Sequence, residues 1–100
     1  METIPPPLHI KILGLKSRQR YLVRRLIQAA HSELQKEFPQ LQLHIEEFSD
    51  LETIQRYTQV FIAPALVINE ELVYDLWIPT KEQVTAWLRE RIVHNSTPSG

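Results

Sequence analysis

The apolar and polar positions of this chain fall into segments with two periods, one typical of strands and one typical of helices. The most apolar segment is residues 65–68 (Ala-Leu-Val-Ile), which follows Pro64 and ends at a polar turn over residues 69–71. A half-exposed strand would alternate apolar and polar residues, and this run does not. The segment therefore predicts a central strand that is buried on both faces.

Pro64 fixes the start of this strand. Proline has no backbone N–H to donate to a sheet, so Pro64 must open the strand instead of lying inside it. The bond before a proline is also the place where a cis peptide costs least. We therefore expect a fixed turn at Ala63–Pro64, with a cis bond as an open alternative, that presents Phe61, Ile62 and Ala63 as a rigid surface ledge.

The other elements follow from shorter patterns. Alternation over residues 8–13 and 41–46 predicts two strands, and the helical spacing of apolar residues between them predicts a helix from Ser17, as N-cap, to about residue 37. The remaining elements are a short helix over about residues 50–57, a hairpin strand over 72–76 and a last helix that Thr80 and Gln83 open with capping-box spacing. The predicted order is β-α-β-α-β-β-α, which begins with a parallel right-handed crossover.

Length and composition indicate one globular domain. The chain has 100 residues, of which 43% are hydrophobic and 23% charged, and we divide it into a mobile proline-rich arm (1–7), a domain (8–93) and a disordered tail (94–100). No apolar run reaches about 18 residues and no basic leader is present, so we expect a cytoplasmic protein that does not insert into a membrane. The absence of cysteine excludes disulfides, thiol catalysis and thiolate metal sites, and no cofactor is predicted.

Three segments resemble the small bacterial and archaeal thioredoxins known as small redox-active disulfide proteins. They are residues 10–14 (Ile-Lys-Ile-Leu-Gly), residues 64–69 (Pro-Ala-Leu-Val-Ile-Asn) and residues 78–88, which open with Ile-Pro-Thr-Lys-Glu-Gln-Val and end with Trp-Leu. The resemblance covers residues 8–91. It implies an α/β, thioredoxin-like fold with a four-stranded mixed sheet in the order 2-1-3-4 and helices on both faces, the first and last helices lying on the same face.

The departures from that family's pattern concern its chemistry. Aligned on Gly14, the two family cysteines fall on Ser17 and Arg20. Disulfide exchange in the family needs a thiolate at the helix N-terminus and a second thiol one turn later, and a serine hydroxyl cannot form a disulfide. The threonine that usually precedes the proline is Ala63 here. The resemblance thus implies the fold and the substrate groove without the redox activity.

The groove that the resemblance implies is expected to bind a partner. Its lining mixes arginine, aromatic and aliphatic residues, as interface anchors do. The predicted partner-binding residues are Lys16, Ser17, Arg18, Arg20, Tyr21, Arg24, Phe61, Ile62, Ala63, Pro64 and Trp77. Cations in the first turn of a helix oppose its dipole, so we expect an anionic group to compensate them. The predicted function is that of a redox-inactive adaptor, assembly or regulatory factor, not an enzyme, whose partner is a protein with an acidic or mixed surface.

Several other interpretations are open at this stage. The basic residues from Lys16 to Arg25 suit a nucleic-acid or phosphate ligand. A transferase that borrows glutathione or another external thiol is a second alternative, and a structural subunit that pairs an edge strand with a partner sheet is a third. The arginines could also extend into solvent, and Phe61, Ile62 and Trp77 could pack into the core. His9 and His44 are expected to face each other on paired strands, but they lack a third ligand for a metal.

Overall fold

The computed structural model describes the backbone of residues 5–96 and the side chains of residues 5–93. Its elements are β1 (Leu8–Leu13), α1 (Ser17–Leu34), β2 (Leu43–Phe48), α2 (Leu51–Gln55), β3 (Ala65–Ile68), β4 (Glu71–Tyr74) and α3 (Lys81–Ser96). The order β-α-β-α-β-β-α confirms the prediction. Residues 1–4 of the predicted arm and 97–100 of the predicted tail lie outside the described residues. Pro5 is buried, and α3 continues past the expected domain end to Ser96.

The four strands form one mixed sheet in the order β2-β1-β3-β4, which confirms the predicted thioredoxin-like topology. β1 is parallel to β2, with Leu13 opposite Phe48, and antiparallel to β3, with Leu13 also opposite Ala65. β3 is antiparallel to β4, with Leu66 opposite Tyr74. All four residues of β3 are buried, as predicted. This topology brings the ends of β1, β2 and β4 and the start of β3 to one end of the sheet, which we call the site end.

The larger core lies between the sheet and the pair formed by α1 and α3. Its fully buried side chains come from two strands and both helices: Leu8, Ile10, Ile12, Leu66, Ile68, Val23, Ile27, Ala30, Leu34, Val84, Leu88 and Ile92, with Leu41 from the loop before β2. α3 begins at the predicted capping box, because the Gln83 N–H donates to Thr80 Oγ1 at 3.1 Å and the Thr80 N–H donates to Gln83 Oε1 at 2.9 Å. Because α1 and α3 both pack on this core, the first and last helices share one face of the sheet, as expected.

A smaller core lies on the opposite face under α2. Ile54 is the buried residue of this helix, and it packs with Leu13, Ala65 and Val67 of the sheet. The Asp50 carboxylate caps α2 by accepting the Thr53 N–H at 3.0 Å. Because α2 has five residues, it covers the site end of this face and leaves the rest of it polar and open.

The start and end of α1 differ from the prediction. Ser17 is the first residue of the helix, while Lys16 occupies the N-cap position and makes no side-chain capping bond. The helix ends at Leu34, before the expected residue 37, because the chain tightens there to bonds that span three residues: the Lys36 N–H donates to the Glu33 carbonyl at 3.2 Å and the Glu37 N–H donates to the Leu34 carbonyl at 3.0 Å. Apolar spacing predicted the body of the helix correctly, whereas its ends depend on local bonds.

Two strands are also shifted relative to their predicted bounds. β2 begins at Leu43 because its pairing with β1 starts at the Leu8–Leu43 pair, and it extends to Phe48, whose ring joins the smaller core. β4 ends at Tyr74 instead of Leu76, since the next residue, Asp75, leaves the sheet and accepts a hydrogen bond from the Thr58 hydroxyl at 2.7 Å. Leu76 is consequently outside the sheet.

The β3–β4 turn is held by a closed set of side-chain bonds. Asn69 and Glu70 have positive φ angles of 50° and 69°, as two-residue hairpin turns require. The Lys11 ammonium contacts Glu70 Oε1 at 2.6 Å and donates to the Tyr57 hydroxyl at 2.9 Å, and Tyr57 donates to Glu70 Oε2 at 2.6 Å. Lys11 and then Tyr57 lower the pKa of the Glu70 carboxyl, while Glu70 and then Tyr57 raise the pKa of Lys11.

Replacing Glu70 with glutamine should lower the free energy of unfolding at neutral pH, because it removes the charge that pairs with Lys11. A carboxyl with a lowered folded-state pKa contributes stability above its unfolded pKa of about 4.3, and this contribution disappears as the pH falls through the folded value. Urea unfolding at several pH values should therefore show the wild type and Glu70→Gln converging in acid. Glu46→Gln is the control, since Glu46 has no ion-pair partner among the described residues. A difference independent of pH would contradict this account.

Candidate functional site

The start of α1 lies beside the Pro64 turn. Leu13 pairs with Ala65 in antiparallel strands. Gly14, which follows Leu13, therefore lies next to Pro64, which precedes Ala65. A Cβ atom on Gly14 would be 3.6 Å from Pro64 Cα and 3.5 Å from Arg20 Cγ, which is ordinary van der Waals contact. Of the predicted site residues, Arg20 and Pro64 thus both lie beside Gly14 at the site end.

The predicted ledge before Pro64 presents one side chain to solvent. Ala63 and Pro64 are both buried. Phe61 is partly buried and packs against the smaller core, as the alternative of core packing predicted. Ile62 instead is 80% exposed. The Ala63–Pro64 bond, whose cis or trans state the sequence left open, is trans here, since the described residues contain no cis peptide bond.

Ile62 belongs to a group of exposed apolar side chains at the site end. Leu15 follows the end of β1, and Leu76 and Trp77 follow the end of β4, so the topology of the sheet places all of them near the start of β3. Their exposed fractions are 47% for Leu15, 80% for Ile62, 73% for Leu76 and 55% for Trp77. We call these four residues the apolar end patch. Trp77 therefore lies outside the core, contrary to the alternative that it packs there.

Two members of this patch, Leu15 and Leu76, were missed by the sequence analysis. Leu76 was predicted to end the last strand, where it would be paired, and Leu15, the residue after Gly14, was assigned to no element or site. The available signal was that both are large apolar residues beside a predicted strand end. Single exposed apolar residues are common, whereas several at one end of a sheet are typical of an interaction surface.

Arg20 and Arg24 are held within the molecule by a carboxylate from β2. Arg20 Nε lies 3.3 Å from Glu47 Oε1, and Arg24 Nη1 lies 2.6 Å from Glu47 Oε2. Arg20 Nη1 also donates to the Gly14 carbonyl at 2.7 Å. We call Arg20, Arg24 and Glu47 the arginine clamp. The anionic compensation that the sequence analysis expected from a partner is here supplied by Glu47 for these two arginines.

The remaining cations near the start of α1 have no such partner. Carboxylates within the chain pair with Lys11, Arg20, Arg24, Arg56, Lys81, Arg89 and Arg91. Among the described residues, the cations without an ion pair are Lys16, Arg18, Arg25 and Lys36. Three of these four lie on or beside the first half of α1, next to the exposed Ser17 and Tyr21. Positive charge without an ion pair is therefore concentrated on the half of α1 that begins at the site end.

The site offers binding groups but no groups for covalent chemistry of the family's kind. The sequence contains no cysteine, so thiol–disulfide exchange has no reactive group, and the aligned positions hold Ser17 and Arg20. His9 and His44 do face each other, as predicted, with ring centroids 5.1 Å apart. Over the described part of the chain, no group of three or more His, Asp or Glu residues could hold a metal ion.

Comparisons with known proteins identify the domain. A family model described as thioredoxin domain matches residues 8–89, which includes every element from β1 to most of α3. A search of curated proteins found no match. Within the described residues, no helix is long and apolar enough to cross a membrane.

Proposed function

The chain belongs to the thioredoxin domain family, and on that premise we propose that it is a redox-inactive protein-binding module. In this proposal it acts in the cytoplasm as an adaptor, assembly or regulatory factor and catalyses no reaction. Its partner is a protein that presents an acidic or mixed surface to the site end. The absence of cysteine supports the loss of the family's redox activity. The groups left at the site end are binding groups.

The observation that carries the proposal is the apolar end patch beside unpaired cations. Ile62 and Leu76 are the most exposed of the large apolar side chains in the described residues. Such exposure costs solvation free energy of about 25 cal/mol per Å² of apolar surface, which a partner would recover on binding. Most cations elsewhere already have carboxylate partners, whereas Lys16 and Arg18 do not.

The composition of this surface favours a protein over the alternatives. Trp, Tyr and Arg are the residue types that most often dominate binding energy at protein interfaces, and Trp77, Tyr21 and Arg18 are all exposed here. A phosphate backbone would use the cations but would leave Leu15, Ile62 and Leu76 in water. The arginine clamp further reduces the number of cations available to a nucleic acid.

The proposal is tested by affinity capture from cytoplasmic extract with the full chain and three variants. Arg18→Glu and Ile62→Ser change exposed residues at the site end. Each should reduce capture of the partner about tenfold, which corresponds to about 1.4 kcal/mol of binding energy. The matched control is Lys36→Glu, because Lys36 is also unpaired and follows the far end of α1, about 27 Å along its axis.

The pattern across the variants decides the outcome. A protein captured by the wild type and by Lys36→Glu, but lost with both Arg18→Glu and Ile62→Ser, would support the site end as the interface. Equal capture by all four proteins would contradict the proposal. Capture that disappears on nuclease treatment, and that Arg18→Glu weakens while Ile62→Ser does not, would favour nucleic acid instead.

A further inference from the structure

We infer that Arg20 and Arg24 form an oxyanion-binding site that Glu47 of the same chain occupies, so that a carboxylate or phosphate from outside must compete with Glu47 for it. This inference rests on the proposed function, since the external oxyanion is taken to come from the partner at the site end. It concerns how that site is regulated, not whether the apolar end patch binds.

The geometry is that of a bound carboxylate. Each of the two oxygens of Glu47 contacts a different guanidinium, at 3.3 Å for Arg20 Nε and 2.6 Å for Arg24 Nη1. Contacts between guanidinium groups and carboxylates are among the strongest hydrogen bonds in proteins, and the same groups suit phosphate oxygens. Glu47 thus fills the place that a ligand carboxylate would take.

Each of the two arginines has a further contact besides Glu47. The Arg20 guanidinium also donates to the Gly14 carbonyl at 2.7 Å, and its stem lies against Gly14. The Arg24 guanidinium carbon lies 5.5 Å from the Tyr21 ring centroid, within the range of a cation–π contact. These contacts favour the present positions of both guanidinium groups and add to the contribution of Glu47.

Glu47 can leave without breaking the sheet. It lies on β2, an edge strand that pairs only with β1, and its side chain is 25% exposed. A rotation of this side chain into water needs no backbone movement, because its backbone pairing to Ile12 is separate from the side-chain contact. The intramolecular carboxylate is always present at high effective concentration, so it weakens the binding of any external oxyanion.

The test is a titration with inorganic phosphate at constant ionic strength, followed by the NMR resonances of the Arg20 and Arg24 Nε–H groups. Glu47→Gln should bind phosphate about tenfold more tightly than the wild type, which corresponds to about 1.4 kcal/mol. Glu46→Gln is the matched control, because it changes the net charge equally and its residue points to the opposite face of the same strand. It should bind as weakly as the wild type.

Equal affinities for Glu47→Gln and Glu46→Gln would overturn the inference, since net charge alone would then explain any gain. If Glu47→Gln does not fold, Glu47→Asp replaces it, because the shorter side chain keeps the charge but cannot reach both arginines equally. An intermediate gain is expected, and no gain would overturn the inference. No partner protein enters this titration, so its failure leaves the capture result for Arg18 and Ile62 standing, and failure of the capture result leaves the titration standing.

Discussion

Replacing Leu66 with alanine is expected to lower the free energy of unfolding by about 3.5 kcal/mol, the middle of the range for deleting a buried leucine side chain. Leu66 is buried in the larger core, and its strand lies between β1 and β4, where it pairs with Ile12 and Tyr74. Urea unfolding followed by circular dichroism gives the value.

Leu76→Ala is the control for this prediction, because it makes the same substitution two residues beyond the end of β4, the strand that pairs with Leu66. Leu76 lies outside the core, so its loss should change the free energy of unfolding by no more than about 0.5 kcal/mol. If both variants lose similar stability, then either Leu76 is covered in the folded protein or Leu66 is not central to the core. The same pair separates folding from binding, since Leu76→Ala should weaken only partner capture.

The sequence predicted the fold where one physical pattern decided the structure. The uninterrupted run of residues 65–68 could only be a strand buried on both faces, and the sheet places it inside. The spacing of Val23, Ile27, Ala30 and Leu34 likewise required a helix with one buried face. These patterns arise from burial. Side chains return to the buried face about every 3.6 residues in a helix and every two residues in a strand, so burial leaves a repeated signal in the sequence.

Element ends were predicted less well because each depends on a few bonds. Ser17 is a residue type that often caps helices, but here it begins the helix and Lys16 precedes it without a side-chain cap. Leu76 was placed in a strand because it is apolar and follows one, although the chain leaves the sheet at Asp75 to bond with Thr58. Neither the missing cap at Lys16 nor the bond between Thr58 and Asp75 leaves a periodic trace in the sequence.

The candidate site was predicted in its location but not in the division of its charges. Counting cations on α1 put Arg18, Arg20 and Arg24 into one group. Glu47 pairs with Arg20 and Arg24 but not with Arg18. It is distant from both arginines in sequence and reaches them because the parallel crossover places β2 beside the helix face. Long-range pairing of this kind follows from topology and register together, and local composition does not contain it.

This division predicts that Arg20 and Arg18 will respond differently to the same substitution. Arg20→Ala removes the contacts to Glu47 and to the Gly14 carbonyl, and the Arg20 side chain is only 16% exposed. Hydrogen bonds that involve a charged group are worth about 1.5–3 kcal/mol, so we expect a loss of about 2 kcal/mol in the free energy of unfolding. Urea unfolding at low and moderate salt measures it, and the loss should persist in salt because the contacts are partly buried.

Arg18→Ala is the matched control, since it removes the same side chain from the same helix at an exposed position without an ion pair. It should leave the free energy of unfolding within about 0.5 kcal/mol of the wild type. If Arg20→Ala were as harmless as Arg18→Ala, the arginine clamp would contribute nothing to the fold. If both were destabilising, Arg18 would have a structural partner and could not be reserved for binding. The expected result, stability lost with Arg20→Ala but not with Arg18→Ala, would show that the arginine clamp contributes to the fold and that Arg18 does not.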